Sequence, residues 1–448
     1  MTIIDTLIHT KYLLPVEPME VLIDHSVAIE SGTIVSVLPT YKALKRYTAK
    51  ETITLNHHIL APGLINMHTH SPMTLMRGLA DDLKLMDWLH NHIWPAETAI
   101  MSKEYVYDGT LLACAEMIKS GTTCFNEHYF YPDIIANVAQ EVGMRAKIGV
   151  LIINVKTAWA KNEQEVMQKA TKLFDQAPTN DMLSFCLAPH SPYATSEETL
   201  RTVGILSKET GLPIHIHMHE SLEEINISLE KYNVRPLARM KELGILTPRT
   251  QLVHMTQVND ADIQLVKEAQ CHITHCPESN QKLASGHCLV QYFLDNQVNV
   301  CLGTDSAASN NDLDMIGEMR SAALCGKIIA GDPTAVSAEN TLRMATINGA
   351  RALGMDHLIG SISPNKKADL IAIDINFLNT RPLYNPISHL VYSCHSNQVT
   401  DVWVSGKRLL ENGNLTTINE HAIINKAETW HDRLRKYAHA PSHKGKNR

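Results

Sequence analysis

The sequence predicts an α/β fold, a (β/α)8 TIM-like barrel with a small β-sandwich domain built from both chain ends. Three observations predict it. The middle of the chain carries eight short apolar runs, each followed by a helix-like stretch. The two ends carry alternating, strand-like runs instead. The G-x-G-x-x-G loop that an open doubly wound sheet would usually place after its first strand is absent.

The elements follow in order. Near the start, "SVAIESGTIVSVLP" has two alternating apolar runs around Glu30, Ser31, Gly32 and Thr33, which predicts a hairpin. "TITLNHHIL" predicts another strand. The barrel strands are expected in "LAPGLINMH", "TTCFNEH", "RAKIGVLII", "LSFCLAPH", "LPIHIHMH", "TQLVHM", "CHITHCP" and "VNVCLGTD". Helices are expected between them, as in "SKEYVYDGTLLACAEMIKSG", "NEQEVMQKATKLFDQA" and "SEETLRTVGILSKETG"; several begin after Ser or Asn and end at Gly. Strand texture returns in "ADLIAIDI", "HLVYSC" and "VTDVWVSGKRLLENGNL". The expected division is 1–60 and 361–430 for the sandwich, 61–360 for the barrel and 431–448 for a basic tail.

The bulk numbers narrow the function. Of 448 residues, 44% are apolar and 19% charged, the balance of a soluble globular chain. A net charge of -7 argues against nucleic-acid binding. The one basic cluster, "RLRKYAHAPSHKGKNR", reads as a solvated end. No apolar run is long enough to span a bilayer, and "MTIIDTLIHTKYLLPVEP" lacks the basic start of a signal peptide. The nine cysteines are scattered, odd in number and without a C-x-x-C pair. That pattern suits reduced thiols in a cytoplasm and removes a cysteine-rich zinc site.

The histidines therefore need another account. His68 and His70 stand two apart at the end of the first barrel run, so a strand places both imidazoles on one face. Among 24 histidines one such pair is weak. But His190 ends the fourth run, His217 and His219 the fifth, and Asp305 the eighth. His254 and His275 lie near the ends of the sixth and seventh. A barrel gathers its C-terminal strand ends at one mouth, where catalytic groups sit. Imidazoles with one carboxylate suit Zn2+, Fe or Ni. His217 and Asp305 are the natural third and fourth ligands. His215, His217 and His219 share a face, so the pleat does not choose between His217 and His219. Glu220 has two readings: an acid at the start of the helix "ESLEEINISLEKY", or a proton carrier beside the metal.

At this point "PGLINMHTHSPMTLMRGLADD", "PHSPYATS", "HMHES", "THCPESNQKLASG" and "LGTDSAASNN" resemble the amidohydrolase superfamily, over nearly the whole chain. Within it they are most similar to the 5'-methylthioadenosine/S-adenosylhomocysteine deaminases. The resemblance implies a metallo-dependent hydrolase barrel whose H-x-x-E motif falls on His217 and Glu220. His217 then joins His68, His70 and Asp305 as a metal ligand, and His254 becomes the sixth-strand histidine facing the attacking water. It implies one divalent metal per subunit, Zn2+ first and Fe2+ second, because neither "RAKIGVLII" nor "LSFCLAPH" places a lysine to bridge a second ion. Trp88 in "LMDWLH" and Glu97 in "IWPAE" match positions that meet a ribose, and Glu97 can accept from two adjacent hydroxyls. His190 matches a substrate contact.

The implied reaction is hydrolytic deamination of an adenosine-type nucleoside to its inosine analogue. Glu220, His254 and Asp305 are its catalytic groups, and Glu220 and Asp305 also touch substrate. A homo-oligomer, dimer or tetramer, is implied too. Two positions depart from the pattern. Where related deaminases often supply an arginine, "GVLIINVKTAWAKNEQ" has only Lys156 and Lys161, and Ser306 stands where Gly is frequent. The alternatives are a free-base or triazine hydrolase, which has no ribose to hold, and, more remotely, a non-catalytic scaffold, which would have lost ligands that this chain keeps.

Overall fold

In the computed structural model, which describes residues 1–175 and 180–438, the chain opens with four strands. These are β1 (Thr2–Leu13), β2 (Leu22–Glu30), β3 (Thr33–Pro39) and β4 (Tyr47–Pro62). The predicted hairpin joins β2 to β3. Its turn residues Ser31 and Gly32 both have positive φ, 49° and 73°, the backbone that a tight two-residue hairpin requires.

Eight parallel strands follow: β5 (Leu64–Thr69), β6 (Thr122–Tyr129), β7 (Arg145–Ile152), β8 (Leu183–Pro189), β9 (Ile214–Met218), β10 (Thr250–His254), β11 (His272–His275) and β12 (Val300–Leu302). They hydrogen-bond in chain order, and each falls on one of the eight apolar runs. β5, β6 and β7 are buried at every position, as befits strands covered by helices on one face and filled by side chains on the other. The helices Lys103–Lys119 and Glu197–Thr210 start on Ser102 and Ser196, whose side chains accept from Tyr105 N and Thr199 N.

A bridge between Thr69 and Asp305 closes the barrel, with Asp305 N donating to His68 O at 2.9 Å. The seam is tight. A methyl at Gly303 would meet His68 N at 2.6 Å and His68 Cβ at 2.9 Å. Gly303→Ala should therefore destabilise the protein by about 1–3 kcal/mol, the usual cost of overpacking, seen as a lower urea midpoint. An unchanged midpoint would mean that the seam is looser than described.

The last strands are β13 (Leu370–Asp374), β14 (Val399–Val404), β15 (Lys407–Glu411) and β16 (Asn414–Leu415). β13 pairs antiparallel with β4, from Leu370↔Pro62 to Asp374↔His58. The two chain ends thus form one eight-stranded sheet, ordered β16-β15-β14-β13-β4-β1-β2-β3. It closes on its own small core of Ile8, Val27, Ile29, Ile34, Leu370 and Trp403. Arg145, the first residue of β7, ties this sheet to the closed end of the barrel. Its Nε donates to Asp369 Oδ2 at 2.9 Å, and its Nη2 donates to Ser405 Oγ at 2.8 Å.

One expected strand is a helix. "HLVYSC" lies in the helix Pro386–Tyr392 and the residues after it. Asn385 caps that helix, accepting from Ile387 N and Ser388 N, and Pro386 occupies its first turn. The cap and the proline outweigh the β-branched texture. A second helix, Glu420–Leu434, runs into the segment expected as a basic tail. Trp430 anchors it on Lys103–Lys119: it is buried, and its Nε1 donates to Asp108 Oδ2 at 2.9 Å. Residues 439–448 of the expected tail lie outside the described residues. No helix among the described residues is long and apolar enough to cross a membrane.

Candidate active site

The strand ends bring His68, His70, His190, His217, His254, Glu220 and Asp305 to one mouth. Asp305 Oδ1 lies 3.4 Å from His68 Nε2 and 3.3 Å from His70 Nε2. His217 Nε2 lies 3.2 Å from His68 Nε2. The far sides of the rings are tied back. His70 Nδ1 donates to His128 O at 2.5 Å, and His217 Nδ1 donates to His190 O at 2.6 Å. His68 Nδ1 meets His215 Nε2 at 3.0 Å. A backbone carbonyl can only accept, so each Nδ1 facing one carries the proton and its Nε2 keeps a bare lone pair.

This donor set fits a divalent cation. The bare Nε2 of His217 faces Nε2 of His68 at 3.2 Å, a pair that a shared proton or a cation would join. Donors at about 2.0–2.2 Å around one ion stand roughly 3–3.5 Å from their neighbours, which the three Nε2 and carboxylate separations match. Ser279 and Ser309 hydroxyls donate to Asp305 Oδ2 at 2.6 and 2.9 Å, and Ser306 N donates to Oδ1 at 2.8 Å. Ser306, the departure from glycine, thus supports the carboxylate through its backbone. Burial alone would raise the Asp305 carboxyl, but its close contacts with the His68 and His70 rings outweigh it and hold the group well below the usual range. Burial and the neighbouring ring of His70 push His190 down to about 3.

The structure separates His217 from His219. His217 is extended and points into the cluster. His219 has φ 53°, accepts from Leu237 N at 3.2 Å through its Nε2, and has its Nδ1 3.7 Å from Asp262. It faces the helices behind the strand. Asp305 and His254 also have positive φ, 64° and 76°. Non-glycine residues in that region are strained, and such strain gathers where side chains must be aimed.

Glu220 Oε2 lies 3.9 Å from His254 Nε2. Burial raises its carboxyl above the ordinary value, and the nearby His254 opposes this. Its backbone is fixed by Glu224, whose carboxyl accepts from His219 N at 2.9 Å and Glu220 N at 3.0 Å. Burial pushes Glu224 up to about 8. His254 Nδ1 is held by Asn280 Oδ1 at 2.9 Å.

The remaining predicted residues are placed less evenly. Glu97 accepts a short hydrogen bond from Tyr129 OH, and burial raises its carboxyl while that bond opposes. Trp88 is buried at the end of the short helix Leu85–Trp88. The structure does not hydrogen-bond it to the other predicted residues. Sequence reasoning missed His128, Tyr129, Ser279 and Asn280. His128 had a legible signal, because it too closes a barrel run, "TTCFNEH". Tyr129 is the last residue of β6, one past the apolar run, and Ser279 and Asn280 lie on the helix Pro277–Lys282, where no periodicity marks them.

Comparisons with known proteins concern the chain as a whole. The amidohydrolase family model matches residues 59–409. The chain is 45% identical over 427 residues to a 5-methylthioadenosine/S-adenosylhomocysteine deaminase of Saccharophagus degradans, covering 95% of this chain and 96% of that protein. It is 41% identical over 408 residues to a 5'-deoxyadenosine deaminase of Methanothermobacter thermautotrophicus, covering 90% and 93%. A crystal structure of an adenosine deaminase from Xanthomonas campestris with bound zinc superposes with a TM-score of 0.96 at 45% identity, covering 97% of this chain and 99% of that one.

Proposed function

The chain belongs to the amidohydrolase family, and from that premise we propose that it is a metal-dependent aminohydrolase acting on an adenosine-type nucleoside. It converts the adenine ring to the hypoxanthine of an inosine analogue and releases ammonia. The relatives' names set the candidates: 5'-methylthioadenosine, S-adenosylhomocysteine, 5'-deoxyadenosine and adenosine. One observation carries the reading. A carboxyl that burial inclines to keep its proton, Glu220, meets a cluster of imidazoles around the Asp305 carboxylate at one barrel mouth.

Each residue has a part. His68, His70, His217 and Asp305 would hold one divalent ion, zinc before iron(II), which supplies Lewis-acid activation of water. Asp305, kept ionised by its donors, takes the proton that the attacking water gives up. Glu220 donates its proton to the ring nitrogen beside the attacked carbon, so that the ring accepts the developing charge. His254, with Nδ1 held by Asn280, turns Nε2 toward the same space. Once that Nε2 takes up a proton, it stabilises the oxyanion. Asp305 passes its proton to the exocyclic amine, ammonia leaves, and the hydroxyl proton of the intermediate returns to Glu220. His190 and Trp88 border the substrate, and Glu97 accepts from the ribose hydroxyls. The reading takes the enzyme as a cytoplasmic homo-oligomer, a dimer or tetramer. Its nine cysteines are all free and eight of them buried, which suits a reducing compartment.

An ammonia-release panel on the zinc-loaded protein tests this. The four nucleosides are expected to be turned over, and adenine, guanine, cytosine and a chlorotriazine are not. Activity confined to free bases or the triazine would overturn the reading. Tyr129→Phe tests the ribose contact separately. Loss of a hydrogen bond to a carboxylate is worth about 1.5–3 kcal/mol, so KM for a nucleoside should rise at least tenfold, with kcat changing less. An unchanged KM would remove the Tyr129–Glu97 pair from ribose recognition.

A further inference from the structure

The metal site proposed above uses three imidazoles, and a fourth stands beside them with no other partner. His128, near the end of β6, is fully buried, and neither of its ring nitrogens has a hydrogen-bond partner. Both nitrogens are shut off from bulk solvent without a protein partner, and a buried polar group left unsatisfied costs about 1–3 kcal/mol. The ring is spaced like a ligand. The centroids of His68, His70 and His217 lie 4.8, 4.9 and 5.4 Å from one another. His128 lies 4.6 Å from His217, 5.6 Å from His70 and 5.8 Å from His68. One ring nitrogen each of His68, His128 and His217 falls within a 4.8 Å span. Two donors on one ion at about 2.1 Å stand at most roughly 4.2 Å apart, so the His128 ring has to move toward the ion to join His68 and His217. The main chain already holds it in place, because the His128 carbonyl is the acceptor that orients His70.

Resting on that metal-centre reading, we propose that His128 is a fifth protein donor, giving a set of four imidazoles and one carboxylate. Such a set suits an ion that accepts five or six donors, such as Fe2+, Co2+ or Ni2+, better than a purely tetrahedral one does. It also ties β6 to β5 and β9 through a single ion.

His128→Met, which removes the nitrogen and keeps an apolar filling, is the direct test, with Zn2+ and Co2+ as probes. In chelator competition the variant should bind Zn2+ about 10–100-fold more weakly, the loss typical even of outer-shell partners. The visible bands of the Co2+ protein should shift and intensify as the donor number falls. The thermal midpoint of the metal-free protein should not fall, since an unpartnered imidazole supports nothing there, while that of the loaded protein should. Equal affinity with a superimposable Co2+ spectrum would overturn the assignment. So would an equal fall in both midpoints, which would mark His128 as structural. If His128→Met does not fold, His128→Asn repeats the measurements. A wild-type protein that binds no divalent ion would sink the metal-centre reading itself, an outcome distinct from failure at His128 alone.

Discussion

Glu220→Gln is expected to fold, to bind metal as the wild type does, and to lose deaminase activity by about 10²–10⁴-fold, the usual contribution of a positioned proton carrier. The substitution keeps the size of the side chain and removes only the titrating proton. Its backbone nitrogen stays on Glu224, so the loop is held as before. The pH profile carries a second test. Burial raises the Glu220 carboxyl, so the protonated form persists to higher pH than for an exposed glutamate. Activity that needs this proton is present below the raised pKa and lost as pH rises through it. The wild-type kcat should therefore show a falling alkaline limb that the residual activity of Glu220→Gln lacks. Near-wild-type turnover in the variant would show that the proton comes from elsewhere.

Arg145→Met should have the largest effect on stability. The guanidinium is wholly buried and meets Asp369, also buried, through Nε at 2.9 Å and Nη2 at 3.2 Å. Removing one partner of such a pair leaves an uncompensated buried charge, at a cost of about 3–5 kcal/mol. Asp369 Oδ1 also accepts from Ser405 N at 2.7 Å, so the loss should loosen the contact between the two sheets. The double variant Arg145→Met/Asp369→Asn removes the stranded charge and keeps an acceptor for Ser405 N. It should be more stable than Arg145→Met alone. Arg145 begins β7, at the end of the barrel opposite the mouth, so kcat per folded molecule should be unchanged. A denaturation midpoint for Arg145→Met close to the wild type would mean that water reaches the pair.

Much of the fold is legible along the chain because its signals are local. Each barrel strand shows as an apolar run, and each is long enough to be seen against its flanking helices. The β2–β3 turn shows as Ser31–Gly32, since few other pairs tolerate positive φ at both positions. "HLVYSC" misled because alternation over a short run does not distinguish a strand from a buried helix. The deciding signal, Asn385–Pro386, stands outside the run.

The site divides along the same line. His68 and His70 are legible together because a strand repeats every second residue, and their neighbours at other strand ends follow from barrel topology. Periodicity shows which face a side chain takes, but not the angle at which a strand ends. His217 and His219 share a face by period. The turn to φ 53° at His219 sends its ring to Leu237, while His217 stays in the cluster. The Asp305 carboxylate depends on hydroxyls from Ser279 and Ser309, on two different segments. The Arg145–Asp369 pair spans 224 positions. Chain pattern alone thus establishes the strands, the mouth and the residue types gathered there. Which ring nitrogens face one another, and which carboxyl is held ionised or inclined to keep its proton, depends on burial and on partners brought together by folding. Those contacts leave no mark in the local spacing of the chain.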